Sequence, residues 1–211
     1  MRPDKLKDLI IAPHADDEVL GCGGILGKDS FVYYCGINES LVAPDKEHRI
    51  GQTARLNEIK SVSDFLGFGW KCNMNTQVNH YKETEFIQEL ETLINEIRPD
   101  RVFIPFPSFN QDHRAVYNAA LVSLRPHDKN FFVKKVLVYE QCHAITWEDK
   151  NFKVNYFIPI DIERKIKAYQ LHKSQVRPMR SSELVKAIAR VRGGHINCEY
   201  AEAYLILRWV D

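Results

Sequence analysis

Short apolar runs alternate with longer segments of helical periodicity along nearly the whole chain, and that alternation limits the folds open to it. Lys7 to Ala12, Phe31 to Ile37, Arg101 to Phe106, Lys134 to Gln141 and Tyr156 to Ile160 read as buried strands. A less regular strand covers Lys71 to Thr76, and a closing one covers Tyr200 to Val210. Between them, helical patterns span Asp17 to Gly27, Glu47 to Leu66, Glu83 to Ile97, the segment after Arg114 to Leu124, Asp161 to Lys173 and Ser181 to Val191. In Glu83 to Ile97 the residues Phe86, Ile87, Leu90, Leu93, Ile94 and Ile97 recur on one helix face, and Pro99 ends the helix. Strands and helices that alternate in this way predict an α/β fold: a Rossmann-like, mostly parallel sheet with helices on both faces and right-handed crossovers.

Composition sets the remaining bounds. A chain of 211 residues without a linker-like stretch is expected to form a single domain, 1–211. With 45% hydrophobic and 27% charged residues it is globular rather than disordered or fibrous. Its 29 basic and 28 acidic side chains give a net charge of +1, which supplies no electrostatic reason to expect nucleic acid or an anionic membrane surface. A small-molecule partner is expected, and a homo-oligomer is compatible with the sequence. The charged start, Met1 to Lys5, contains neither a secretory apolar region nor a membrane span, so the expected compartment is the cytoplasm. Five widely spaced cysteines without a Cys-x-x-Cys pair read as reduced thiols, and Cys22 as a small buried residue.

Two strand-to-helix junctions carry chemistry. After the first strand come Pro13, His14, Ala15, Asp16, Asp17 and Glu18; after the Arg101 to Phe106 strand come Asn110, Asp112 and His113. Acids in a first helical turn favour the helix dipole, and a histidine at a helix start often bonds to backbone. His14 nevertheless adds a metal-capable nitrogen beside two carboxylates, which capping does not require. In a parallel sheet the carboxyl ends of neighbouring strands share one edge, so His14, Asp17 and His113 can converge on one ion. Two histidines and a carboxylate suit a hydrolytic Zn²⁺, and equally Fe²⁺ or another divalent metal.

Pro13-His14-Ala15-Asp16-Asp17-Glu18, with the Val-Leu-Gly-Cys-Gly-Gly that follows, resembles the Pro-His-Pro-Asp-Asp-Glu signature of the PIG-L/LmbE family of zinc-dependent N-deacetylases. Asp112 to Val116 is similar to that family's second motif. The likeness extends to Arg55-Leu-Asn-Glu58, to the segment holding Lys165, Ala168 and Ser174-Gln175, to Arg192-Gly193 and to Tyr200-Ala-Glu-Ala-Tyr204. The resemblance implies an LmbE-like fold, zinc bound by His14, Asp17 and His113, Asp16 as general base, Arg55 as a substrate anchor, and removal of an N-acetyl group from an N-acetylglucosamine-type amino sugar or its conjugate. Ala15 departs from the pattern without removing a functional group. Asn110 departs more seriously, standing where many members carry a histidine. Its amide can donate a hydrogen bond to an oxyanion but cannot deliver a proton. The proton for the leaving amine then falls to Asp16, or to another histidine such as His143 or His195. Asp112 reads as a helix cap or as an orienter of a ligand.

Other positions have two readings. Arg55 would otherwise lie on a solvated helix face. His172, Ser174 and Gln175 either line the mouth of the cleft or form a helix-end cluster before Pro178. Trp70, Tyr81, Phe106, Phe109 and Trp147 could stack on a sugar ring, although core packing is the safer expectation. The loops at 38–46, 76–82 and 142–155 are expected to meet the rest of the substrate. Gly21, Gly23, Gly24 and Gly27 also suggest a nucleotide-binding turn, but Leu26 occupies the third-glycine position and the preceding acids would repel a pyrophosphate. A family member that binds a sugar or nucleotide-sugar without turnover is the remaining alternative.

Overall fold

The structure, a computed structural model, describes residues 8–38, 50–142 and 153–211. The expected helix start at Glu47, most of the 38–46 loop, His143, Trp147 and much of the 142–155 loop fall outside the described residues. The elements in chain order are β1 (Asp8–Ala12), α1 (Asp17–Cys22), β2 (Ser30–Tyr34), α2 (Gln52–Leu66), β3 (Gly69–Cys72), α3 (Glu83–Ile97), β4 (Arg101–Pro105), α4 (Gln111–Ser123), β5 (Lys135–Tyr139), β6 (Tyr156–Pro159), α5 (Ile162–Leu171), α6 (Ser182–Gly194) and β7 (Ala201–Trp209). Among the described residues the strands form one sheet in the order β3-β2-β1-β4-β5-β7-β6. The first five are parallel, and only β7 runs against its neighbours.

The strands lack an apolar/polar alternation because both faces are covered. Ile10, Val32, Phe103 and Leu137 point to the side packed by Val19, Ile59, Val62, Ile166 and Tyr169 of α1, α2 and α5. The next residues along, Leu9, Ile11, Tyr33, Val102 and Val136, point to the side packed by Phe86, Leu90, Leu93, Val116 and Ala120 of α3 and α4. At the amino ends of β1 and β4, Arg101 grips Asp8 with two hydrogen bonds of 2.7 Å each. Beyond α3, the chain has run from β1 out to β3 and returned to place β4 on the other side of β1. The carboxyl ends of β1 and β4 therefore flank the point where the strand order reverses, which is where open α/β sheets form a crevice.

Three boundaries differ from the sequence expectation for local reasons. Helix α1 stops at Cys22 rather than Gly27, because Gly23 and Gly24 weaken helix propagation. Strand β3 lies earlier than Lys71 to Thr76. Gly67 closes α2 in the left-handed conformation, φ 89°, so Gly69 pairs at once with Phe31. Asn73 then accepts hydrogen bonds from the backbone N–H groups of Asn75 and Thr76, turning the chain out of the sheet. Helix α4 begins at Gln111, ahead of Arg114, so Asp112 and His113 stand in its first turn.

Gly21 shows why α1 sits so close to the sheet: a Cβ there would lie 2.1 Å from the Tyr139 ring. The later segments of family-like sequence clamp the same helix from behind. Lys165 donates to Leu20 O and to Glu202, both at 2.7 Å, while Glu202 also accepts from Gly24 N at 2.8 Å and from the Tyr204 hydroxyl at 2.7 Å. All five cysteines are free thiols, as expected, and Cys22 is fully buried.

Candidate metal centre

The β1–α1 junction and the start of α4 bring three donor atoms together. His14 Nδ1 lies 3.4 Å from Asp17 Oδ2, His113 Nε2 lies 3.3 Å from the same oxygen, and the two histidine nitrogens are 3.3 Å apart. Ligand atoms about 2.0–2.1 Å from a tetrahedral ion are separated by about 3.3–3.4 Å, so the triangle has the dimensions of three corners of such a site. Among the described residues, His14, Asp17 and His113 are the group of histidine and carboxylate ligands able to hold an ion. The donor set and its spacing fit a divalent metal.

Two of the donors, His14 and Asp17, are oriented by neighbouring groups. Asp112 is fully buried, and its Oδ2 lies 2.9 Å from His14 Nε2. An ionised carboxylate only accepts, so Nε2 donates to Asp112 and Nδ1 is the nitrogen turned toward the other two ligands. Asp112 is oriented in turn by the backbone N–H groups of Asn79, at 2.6 Å, and Tyr81, at 3.3 Å. The 76–82 loop thus contributes backbone donors to the centre. Tyr81 itself is buried and donates its hydroxyl to Pro13 O. Asp17 takes a hydrogen bond from His14 N on Oδ2 and one of 2.6 Å from Gln141 Nε2 on Oδ1. Arg192 forms an ion pair with the neighbouring Glu140, fixing the chain that delivers Gln141.

Burial would raise the Asp17 pKa, but His113 and His14 outweigh it and hold the carboxyl well below the usual range. Burial would lower that of His14, yet hydrogen bonds to Asp112 and Asp17 raise it to about 9. These opposite shifts are the signature of anions and imidazoles arranged around a common centre.

Asp16 is fully buried beside this triangle. Its Oδ2 accepts a 2.7 Å hydrogen bond from Arg180, and its Oδ1 has no hydrogen-bond partner among the described residues. Burial pushes its pKa up, and Arg180 pulls it partly back. Asn110 is the cap of α4: its Oδ1 accepts from Asp112 N at 2.8 Å. The capping role considered for Asp112 therefore belongs to Asn110, and Asp112 is the orienter. The Asn110 amide lines the same cleft, of about 480 Å³, as His14, Asp17, His113 and Arg180, with Phe109, Arg177 and Met179 at its rim. Phe109 is 52% exposed, so among the described aromatic candidates it alone borders the cleft.

The remaining candidates separate by position. Arg55 is buried rather than solvated and donates to Ala15 O at 3.3 Å, next to Asp16 in the chain; it is not among the residues lining the cleft. His172 caps the carboxyl end of α5 and is fully buried, 2.6 Å from Glu18, and Ser174 binds Glu58 through both its N–H and its hydroxyl, so of the two readings the helix-end cluster holds and the cleft mouth does not. His195 is at the far end of α6, stacked on Phe157 and bonded to Arg192, outside the cleft. Sequence reasoning missed Arg180 and Gln141. Neither belongs to a motif, and they reach the site across 164 and 124 residues respectively.

Comparison with known structures gives the fold wide company. The chain is 21% identical to the conserved protein TT1542 from Thermus thermophilus, with a TM-score of 0.78 and coverage of 98% of this chain and 96% of that one. It is 23% identical to the N,N'-diacetylchitobiose deacetylase from Pyrococcus horikoshii, with a TM-score of 0.75, covering 97% of this chain and 85% of that one. The 4-carboxy-2-hydroxymuconate hydratase GalB from Pseudomonas putida matches at 16% identity, with a TM-score of 0.77 and coverage of 97% and 98%. Deacetylation and hydration thus occur on one scaffold, and the fold alone does not choose between them. No curated protein matches in sequence. A family model does: PIG-L, described as GlcNAc-PI de-N-acetylase, matches residues 9–124, more than half of the chain and inclusive of both junctions. The chain belongs to the PIG-L family.

Proposed function

We propose that the protein is a metal-dependent N-deacetylase that hydrolyses the acetamide of an amino-sugar conjugate. The observation that carries this reading is the triangle of His14 Nδ1, Asp17 Oδ2 and His113 Nε2, with sides of 3.3–3.4 Å, beside a buried second carboxylate, Asp16. Family membership agrees with it. The three donors would hold Zn²⁺ or another divalent ion, which when bound acidifies a water and polarises an amide carbonyl.

The residues divide the remaining work. Asp16, whose Oδ1 has no partner among the described residues, takes the proton of the attacking water. The Asn110 amide nitrogen makes no hydrogen bond to another described residue while its oxygen is fixed by the cap, so it donates to the carbonyl oxygen as charge develops there. Asp16, once protonated, also returns the proton to the leaving amine. Phe109 and Met179 offer apolar walls to whatever the sugar carries, and Arg55 acts through the turn beneath Asp16. Among the described residues no helix is long and apolar enough to cross a membrane. Our reading is of a cytoplasmic enzyme acting on a small, diffusible substrate.

The test is acetate release from N-acetylglucosamine, its glycosides and its nucleotide-linked forms, with Zn²⁺, with Fe²⁺ and after chelation. Metal-dependent acetate release supports the reading. Sugar binding without release from any of them would favour a binding protein instead.

A further inference from the structure

We propose that Arg180 is a positioning residue of this centre: its guanidinium holds Asp16 through Oδ2 and leaves Oδ1 as the oxygen that takes the proton. The inference rests on the deacetylase reading for its kinetic consequences, but not for its geometry. A carboxylate on a short side chain has two torsions, and a single charge-assisted hydrogen bond of 2.7 Å fixes the second of them. Asp16 is 0% exposed and its other oxygen is unpartnered among the described residues, so Arg180 decides which oxygen is spent and which remains.

The placement of Arg180 is built by the fold rather than left to a mobile surface chain. It lies in the 172–181 segment between α5 and α6. The Tyr169 hydroxyl donates its one proton to Arg180 O at 2.6 Å, with Gln175 O also 3.2 Å away, so both ends of the loop lie against it. Arg180 N closes a turn onto Arg177 O at 2.8 Å, and Ser174 pins the loop to Glu58 of α2. Immediately afterwards Ser181 caps α6. The side chain then reaches down to Asp16 while a second nitrogen binds Gln175 Oε1 at 3.3 Å. These are two of five N–H groups, and the guanidinium lines the cleft beside the three metal-capable residues. Arg180 thus joins a rigid loop to the proton acceptor without occupying a ligand position.

A mere charge partner for Asp16 would affect stability and leave the kinetics of the loaded enzyme nearly alone. A positioning residue behaves otherwise. Arg180→Ala should retain the metal content of the wild type and keep KM within about 3-fold, while kcat falls by about 10- to 100-fold. Arg180→Lys, which restores a donor, should recover part of that loss. Asp16→Asn combined with Arg180→Ala should be no slower than Asp16→Asn alone, because Arg180 acts through Asp16. An Arg180→Ala variant as fast as wild type, or one that slows Asp16→Asn by the same factor as it slows the wild type, overturns the proposal. If the wild type releases no acetate from any substrate, the deacetylase reading and the kinetic role of Arg180 fail together, and thermal unfolding then judges the Arg180–Asp16 contact alone. Arg180→Ala should then lower Tm by several degrees and do so much less in the Asp16→Asn background; equal losses in the two backgrounds overturn it.

Discussion

Asp112 Oδ2 stands 2.9 Å from His14 Nε2 although 98 residues separate them, and this contact determines which nitrogen of His14 faces the other two donors. Asp112 is the link between the junctions. It sits in the first turn of α4 beside His113, grips His14 after β1, and takes the backbone N–H groups of Asn79 and Tyr81 from a third segment. Asp112→Ala should weaken metal binding by about 10- to 100-fold while leaving all three ligands in place. Metal retained through a graded series of chelators measures this; an affinity equal to that of wild type would mean that His14 is oriented by something else.

The ligands make a separate prediction about stability. A cation that binds the folded chain and not the unfolded one stabilises it by about 2.7 kcal/mol when present at a hundred times its dissociation constant. Added Zn²⁺ should therefore raise the Tm of the chelated wild type, and should raise it little or not at all for His14→Ala and His113→Ala. Equal shifts in all three proteins would place the bound metal elsewhere.

His172 and Glu18 form a fully buried pair at 2.6 Å. Burial lowers the His172 pKa, but Glu18, with smaller contributions from Asp16 and Glu58, outweighs it and leaves the value raised. A raised folded-state value means that the charged pair contributes stability which is fully present below the unfolded histidine value of about 6.5 and is lost as pH rises through the folded one. His172 Nδ1 has no partner among the described residues, which limits the gain to the order of 1 kcal/mol. His172→Gln should accordingly cost more stability at pH 6 than at pH 9, measured by urea unfolding of the chelated protein. A cost that grows with pH would reverse the assignment.

How much of this was legible depended on distance along the chain. Helix α3 ends where its apolar spacing and Pro99 say it should, because the signal is local and periodic. His14, Asp17 and His113 were recoverable because each follows a buried strand, and a parallel sheet brings such ends to one edge. Arg55 is the opposite case. Periodicity places it on α2, but only packing reveals that its guanidinium is turned inward to Ala15. Arg180 had no signal at all. It lies in a loop of irregular sequence whose shape is set by Tyr169 and Glu58, two residues on helices that the sequence does not connect to it.

Asn110 is the position where the site departs most from its family's pattern, and two substitutions separate its two roles. Its Oδ1 caps α4 by accepting from Asp112 N, and its Nδ2 is the donor assigned to the developing oxyanion. Asn110→Ala removes both, and should cost about 1 kcal/mol of stability together with a large loss of rate. Asn110→Asp keeps an acceptor at the helix start, where a negative charge is favoured, but replaces the amide donor with a second carboxylate oxygen. It should unfold at or above the temperature of the wild type and yet lose about 10²- to 10³-fold in kcat, the usual cost of removing an oxyanion donor. Parallel losses of stability and rate in the two variants would reduce Asn110 to a cap. A fast Asn110→Asp enzyme would move the oxyanion donor to another group lining the cleft, such as the guanidinium of Arg180.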